Sequence, residues 1–426
     1  MLLYSTLTTS VVTLSGSEYE DIFVNRDFSS HPRECSKLRE MGFLFDGDPC
    51  AQSERLSALR GKHIEKSGGQ MALTISPTTE CNARCHYCFE RGIEQAKMSV
   101  ETADLLVEFI DRELTGREIS ISWFGGEPLL ATDVIDRIVR QLNSRGISIK
   151  SSVTTNGSLI DDGVLAKFRE WNVERVQITV DSIGEEYNRI KDYIGLGGDP
   201  FSIVMENIGK VVRTGVVTYL RVNYGDRQSD AAKKTSDYLS KAFGSSPNVY
   251  VYCASLFMPD LERDPEYSDR CDRELLGILK GPLETGEISE EVGHHAGMDL
   301  ARGDANLALR QVMMMPFPVP CYAVDKMRFS VDSRGSIYKC HRHTGRESLS
   351  CGNVADGVIA NDVYRHFVSA EPSDPECAHC FMYPVCLGGC PSNVLLTGEK
   401  HSCPPTKSIA KELVRAYYDY LARLRR

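Results

Sequence analysis

Leu73-Thr74-Ile75-Ser76-Pro77-Thr78-Thr79-Glu80-Cys81-Asn82-Ala83-Arg84-Cys85-His86-Tyr87-Cys88 sets a short β-prone run just ahead of three cysteines within eight residues. The region around it repeats one pattern. Further β-prone runs lie at 119–123, 147–149, 176–180, 219–222 and 249–252, and amphipathic stretches at 99–114, 131–143, 161–170, 201–214 and 230–242 fall between them. Strands separated by helices run parallel, because each helix returns the chain to the same end of the sheet. Right-handed crossovers curve about six such units toward a barrel, so the expected fold is α/β with a partial (β/α)6 barrel. Loops that follow parallel strands gather at the ligand-binding end. The three cysteines occupy the first of these loops.

Cys81, Cys85 and Cys88 have no fourth cysteine nearby. Three thiolates can hold three irons of a cubane cluster and leave one iron open. Zinc, the alternative, favours four-ligand closure and commonly uses paired CxxC units. A second motif, Gly125-Gly126-Glu127-Pro128, follows the run that ends Ser122-Trp123-Phe124. Two glycines let backbone approach a ligand closely, and a carboxylate there can accept hydrogen bonds from an ammonium group.

CxxxCxxC followed one βα unit later by GGEP resembles the radical S-adenosylmethionine (SAM) superfamily. The resemblance implies a four-iron cluster on Cys81, Cys85 and Cys88 whose open iron SAM chelates through its amino and carboxylate groups. Gly125, Gly126 and Glu127 would bind SAM's amino group. An electron from the cluster would cleave a carbon-sulfur bond of SAM and leave a 5'-deoxyadenosyl radical that takes hydrogen from substrate. Thr155-Asn156-Gly157 and Thr179-Val180-Asp181 close the third and fourth strands. Such strand ends contact SAM's ribose and carboxylate in the family, which carries those roles to Asn156 and Thr179. Tyr87 matches the aromatic position whose neighbourhood packs on adenine.

A second cysteine array lies downstream, spaced C-x13-G-x4-C at Cys321, Gly335 and Cys340, then C-x2-C-x5-C-x3-C at Cys377, Cys380, Cys386 and Cys390, then Cys403. This resembles the SPASM domain, an extension of radical SAM enzymes, which implies two auxiliary four-iron clusters and three clusters in all. Carried over, Cys377, Cys380, Cys386 and Cys403 hold one. Cys321, Cys340 and Cys390 hold the other, with the fourth position closed by Cys351 or open to a substrate group. Two structural zinc ribbons are the alternative for CxxC units taken alone.

The chain has 426 residues, 42% of them hydrophobic, enough for one large core with smaller domains beside it. Fifteen cysteines without a secretion signal read as free thiols in a reducing, cytoplasmic compartment rather than as disulfides. The isolated Cys35, Cys50, Cys253 and Cys271 read as small buried hydrophobes. A net charge of −10 offers no bulk attraction to nucleic acid, and no apolar run reaches membrane-spanning length. The expected domains are an N-terminal α+β unit at 1–66, a barrel at 67–256, a connector at 257–315 containing His294-His295, the SPASM domain at 316–410 and a C-terminal helix at 411–426.

SPASM enzymes mostly modify peptides or proteins, so the resemblance implies a peptide substrate and an external electron donor such as flavodoxin or ferredoxin. Leu3-Tyr4-Ser5-Thr6-Leu7-Thr8 followed by Val11-Val12-Thr13-Leu14 looks like the start of many maturases of ribosomally made peptides, whose small N-terminal domain, of winged-helix type, recognises a leader. Such a domain can add a peptide strand to a sheet edge. Anaerobic sulfatase maturases, which make formylglycine, are the competing relatives. They place an Asp proton acceptor after the cysteine matching Cys340, where this chain has His341, a residue able to act as a base near neutral pH. A non-catalytic iron-sulfur carrier would need the cysteines but not Gly125-Gly126-Glu127.

Overall fold

Ser15 and Glu18 exchange hydrogen bonds as a capping box, and this start signal organises the first unit. A hairpin of β1 (Leu2–Tyr4) and β2 (Val11–Thr13) precedes α1 (Gly16–Tyr19), a π-helical turn at Glu20–Val24 and α2 (Pro32–Glu40). Leu14, Ile22, Cys35 and Leu38 form a small core beneath them. In this computed structural model the described residues are 1–6, 10–45, 70–225, 228–256, 321–369, 374–386 and 388–403, with isolated positions elsewhere. Most of the connector, His294, His295, Cys50 and Cys271 lie outside them.

Alternation along the strands gives the main sheet two unlike faces. β3 (Ala72–Ile75) is followed by α3 (Val100–Glu113), β4 (Glu118–Trp123), α4 (Thr132–Ser144), β5 (Ser148–Thr155), α5 (Asp162–Glu170) and β6 (Val173–Thr179). Then come α6 (Glu185–Lys191), α7 (Pro200–Arg213), β7 (Val217–Tyr224), α8 (Ser229–Phe243) and β8 (Val249–Ser255). Ile121, Trp123, Val153, Ile178 and Leu220 pack with Leu106, Phe109 and Ile138 in one core between strands and helices. The alternate residues Ser122, Ser152, Thr154, Gln177, Thr179 and Arg221 line the other face and stay partly exposed. Ser99, Asp161 and Asp199 cap α3, α5 and α7 through the backbone N–H of Thr102, Val164 and Ser202. Each such cap contributes about 1 kcal/mol.

The six expected strands pair in parallel in the order β3-β4-β5-β6-β7-β8. Two more join them. β9 (Arg328–Val331) lies parallel to β3, and β10 (Ile337–Tyr338) pairs antiparallel with β9. The Ser76 N–H donates to Val331 O at 2.8 Å, so a segment beyond Cys321 satisfies backbone groups that β3 would otherwise leave at a bare edge.

The C-terminal region is built from short pieces: β11 (Gly352–Asn353), β12 (Gly357–Val358), α9 (Asp362–Val368), α10 (Tyr383–Cys386) and α11 (Pro391–Thr397). The N-terminal hairpin touches it. The Thr6 hydroxyl donates to Phe381 O at 2.6 Å, and Tyr4 packs against the cluster of Met382, Ala410, Cys380 and Cys386. No helix among the described residues is long and apolar enough to cross a membrane.

Candidate active site

The loop after β3 carries Cys81, Cys85 and Cys88, and hydrogen bonds fix its approach. The Thr79 hydroxyl donates to Glu94 O (2.8 Å) and accepts from the Ala96 N–H (2.8 Å). Burial, with Glu127 and Cys85 beside Cys81 and with Glu90 and Cys85 beside Cys88, pushes the Cys81 thiol up to about 11 and Cys88 to about 12, although Cys88 still reaches the surface. Thiols raised in this way ionise when a cation compensates them. That donor set fits a metal or an iron cluster.

The GGEP turn has a local structural role. A Cβ on Gly126 would sit 2.2 Å from Glu80 O, and one on Gly125 would sit 2.4 Å from Thr78 O. The two glycines therefore let the β4 turn lie flush against the strand leading into the cysteine loop. Glu127 is 0% exposed. Its carboxylate accepts from the Thr155 hydroxyl (2.7 Å), the Asn156 N–H (2.8 Å) and the Leu129 N–H (3.1 Å), while burial pushes it up to about 7. It is the hub between three strand ends. Asn156 extends the hub, its Nδ2 donating to Asn82 Oδ1 (2.8 Å) inside the cysteine loop. Thr179 ends β6 on the polar face, paired in register with Arg221.

Sequence reasoning missed Lys191. It ends α6, a seven-residue helix too short and polar to stand out by periodicity. Its side chain is 3% exposed and lies 2.7 Å from Asp181, 4% exposed. The Tyr87 hydroxyl donates to the same carboxylate, Lys191 Nζ donates to Tyr87 (3.2 Å), and the rings of Tyr87 and Tyr187 flank the ammonium at 5.9 and 5.8 Å. Burial opposes the charge, but Asp181 and the neighbouring phenols and thiols hold Lys191 well above its ordinary value. The Arg84 N–H donates to Lys191 O (2.8 Å), so this pair also braces the cysteine loop. An i,i+4 aromatic-Lys pair, Tyr187 and Lys191, was the available signal.

The C-terminal thiols gather in two sets. Cys377, Cys380, Cys386 and Cys403 line one cavity with Met382, His401 and Lys407. Burial and the other thiols raise Cys377 to about 11, and Lys407 Nζ donates to Cys403 Sγ at 3.2 Å. Asp374, Cys377 and His401 also lie close enough together to hold one ion. Cys321, Cys340 and Cys390 form the second set. Burial pushes Cys321 up to about 12, with Cys340 and Cys390 raising it further, and Arg342 reaches toward Cys390 Sγ at 3.9 Å. Cys351 is not with them: its thiol donates to Ile337 O at 3.4 Å and packs in the barrel core.

His341 sits where these regions meet. Its ring lies 4.9 Å from Phe124, ahead of the GGEP turn, and 6.0 Å from Phe89, next to Cys88. Its Nδ1 is 2.6 Å from the Tyr322 hydroxyl. Burial, Arg342 and Arg221 push it down to about 4, so it is a neutral hydrogen-bonding ring rather than a base poised near pH 7.

A parallel partial barrel with crowded thiols at its mouth, braced by a buried acidic hub and a buried Lys-Asp pair, is the frame of an enzyme that binds a metal-tethered cofactor at its strand ends. Residues 75–239 match the model of the Radical SAM superfamily, and the chain carries a radical SAM domain. It is 32% identical to the probable GTP 3',8-cyclase of Methanothermobacter thermautotrophicus over 31% of this chain, spanning only 44% of that relative. It is 27% identical to the radical SAM cyclopropyl synthase TigE of Paramaledivibacter caminithermalis, over 88% of this chain and 81% of TigE. Among solved structures, anSMEcpe with bound AdoMet superposes with a TM-score of 0.63 at 19% identity, covering 83% of this chain and 94% of that one. Streptococcus suis SuiB bound to S-adenosylmethionine gives 0.52 at 14%, covering 94% of each. At these identities the structures attest the fold.

Proposed function

We propose that this chain is a radical SAM peptide maturase with a C-terminal SPASM domain, acting on a ribosomally made precursor peptide to install a crosslink or another oxidative modification. The observation that carries this reading is the seat of the Cys340 loop on the barrel mouth, where the His341 ring meets Phe89 edge-on and Phe124 at a tilt. A substrate held there meets the SAM site and the Cys321–Cys340–Cys390 set together. The end-to-end likeness to TigE supports it, as do the titles of two neighbours: SuiB was solved with its precursor peptide SuiA, and anSMEcpe with the Cp18Cys peptide.

Cys81, Cys85 and Cys88 would hold the cluster, which would supply one electron, drawn from a donor such as flavodoxin or ferredoxin, for reductive cleavage of SAM and so for hydrogen abstraction from the peptide. The chain's own residues position the reactants. Main chain at Gly125 and Gly126 faces the cysteine loop, Glu127 and Asn156 lock that loop to two further strands, and Lys191 with Asp181 sets its far side. Auxiliary clusters on the two C-terminal thiol sets would lie where electrons released by oxidising the peptide can leave. The N-terminal unit is assigned to the leader, with Val24, Phe28 and Phe45 as exposed apolar contacts.

The test is incubation of the anaerobically reconstituted enzyme, SAM and reductant with peptides encoded beside its gene, followed by mass spectrometry. Loss of two hydrogens is expected for a crosslink. SAM consumption with every peptide unchanged in mass and in solvent-deuterium content would reject peptide maturation.

A further inference from the structure

Among the described residues, the polar face of the sheet holds a guanidinium that no carboxylate answers. Leu220, Val222 and Tyr224 of β7 join the helix-side core, which turns Arg221 and Asn223 to the opposite face. Arg221 Nε donates to Asn223 Oδ1 (2.8 Å), and its guanidinium also bonds the Tyr252 hydroxyl, which donates onward to Gln177 Oε1 (2.7 Å). Asn223 donates to Asp181 Oδ1 (2.8 Å). That carboxylate is already neutralised by Lys191. Among the described residues, Arg221 makes no ion pair. Its hydrogen bonds fix the fork's orientation without cancelling its charge.

Arg221 pairs in register with Thr179 at the end of β6 and shares its polar face, so it lies among the strand ends that follow the cysteine loop and the GGEP turn. A half-buried guanidinium with no carboxylate on it among the described residues is a ready partner for an anion that arrives with the substrate. A planar guanidinium held by its Nε edge pairs best with a planar carboxylate, bidentately.

We infer that Arg221 is a specificity residue that receives a carboxylate of the peptide substrate, either an Asp or Glu side chain or the C-terminal carboxylate; this rests on the peptide reading above. The hydrogen-bonded line Arg221–Asn223–Asp181–Tyr87 then ties substrate recognition to the cysteine loop.

Affinity selection tests this with a pool of random octapeptides made once as C-terminal acids and once as amides. Full-length holoprotein with SAM is presented to each pool anaerobically, and retained peptides are read by mass spectrometry. Wild type should enrich carboxylate-bearing peptides about tenfold over neutral ones, the effect of one charge-assisted contact. A preference that survives amidation assigns the contact to a side chain, and one that disappears assigns it to the C-terminus. In Arg221→Gln the preference should fall below about twofold while SAM affinity stays within about twofold. Arg221→Lys keeps the charge and should retain most of the preference, which separates recognition from misfolding. The inference is overturned if wild type retains peptides without acidic preference, if Arg221→Gln keeps the wild-type preference, or if Arg221→Gln weakens SAM itself about tenfold. No retention by wild type from either pool overturns the inference, while the peptide reading stands or falls separately on the peptides encoded beside the gene.

Discussion

Two groups of cysteines share this chain, and the molecule holds them in opposite ways. Cys81, Cys85 and Cys88 stand on a frame that exists without them: six parallel strands over one large core, with the loop tied through Asn82 to Asn156 and through Arg84 to Lys191. The C-terminal thiols stand on two-residue strands, short turns and two small apolar clusters. The comparison teaches where metal belongs in the folding free energy. The barrel thiols stand on a scaffold with its own core, whereas the C-terminal sets have little core beneath them, so metal bound there would contribute more to the local fold.

The largest effect should come from stripping metal. Chelation under anaerobic reducing conditions should erase amide-exchange protection over 374–403 and leave β4 to β7 protected, measured by hydrogen exchange with mass spectrometry. Equal loss in both regions would erase the distinction. A sharper cut is Gly126→Ala, whose Cβ must displace Glu80 O and with it the entry to the cysteine loop. Displacements of that kind cost about a hundredfold in rate, so SAM cleavage should fall by that order while iron on the C-terminal sets is retained. Loss of iron from both regions would show that the turn braces more than the barrel thiols.

Cys351→Ser should leave the iron content unchanged and lower stability by about 1 kcal/mol, because that thiol packs in the core. Iron analysis showing a lost cluster would restore it as a ligand. The smallest effect concerns Glu90, whose Oε1 is buried without a hydrogen-bond partner among the described residues and whose carboxyl burial pushes up to about 7. A carboxyl raised in the folded state holds its proton longer than in the unfolded chain, so the folded state loses stability as pH rises between about 4.5 and about 7. Glu90→Gln in metal-free protein should therefore become more stable relative to wild type across that window, read by urea denaturation. A pH-independent difference would show the carboxyl to be solvated.

Much of this was legible in the sequence. The β-prone runs and amphipathic stretches located six strands and five helices because period-2 and period-3.6 burial act over short distances. Cysteine spacing drew attention to the C-terminal thiols, four of which line one cavity. What escaped depends on distant partners: β9 becomes a strand because β3 offers an edge, and α6 is helical for seven residues that carry Lys191 into burial. The hydrogen bonds that Thr155, Asn156 and Leu129 make to Glu127 also join distant parts of the chain, which no local pattern signals. The place of Cys351 was open for the same reason, because proximity in sequence to Cys340 does not say whether its thiol packs in the core.

The most direct measurement pairs iron content with SAM cleavage in wild type and in a Cys81/Cys85/Cys88→Ala variant after anaerobic reconstitution. Wild type should hold about twelve irons and release 5'-deoxyadenosine and methionine from SAM on reduction, and the variant should keep about eight irons and release neither. A variant that still cleaves SAM, or a wild type with about four irons and bound zinc, would contradict the assignment of the barrel thiols as the SAM-cleaving site and of the C-terminal thiols as iron-sulfur ligands.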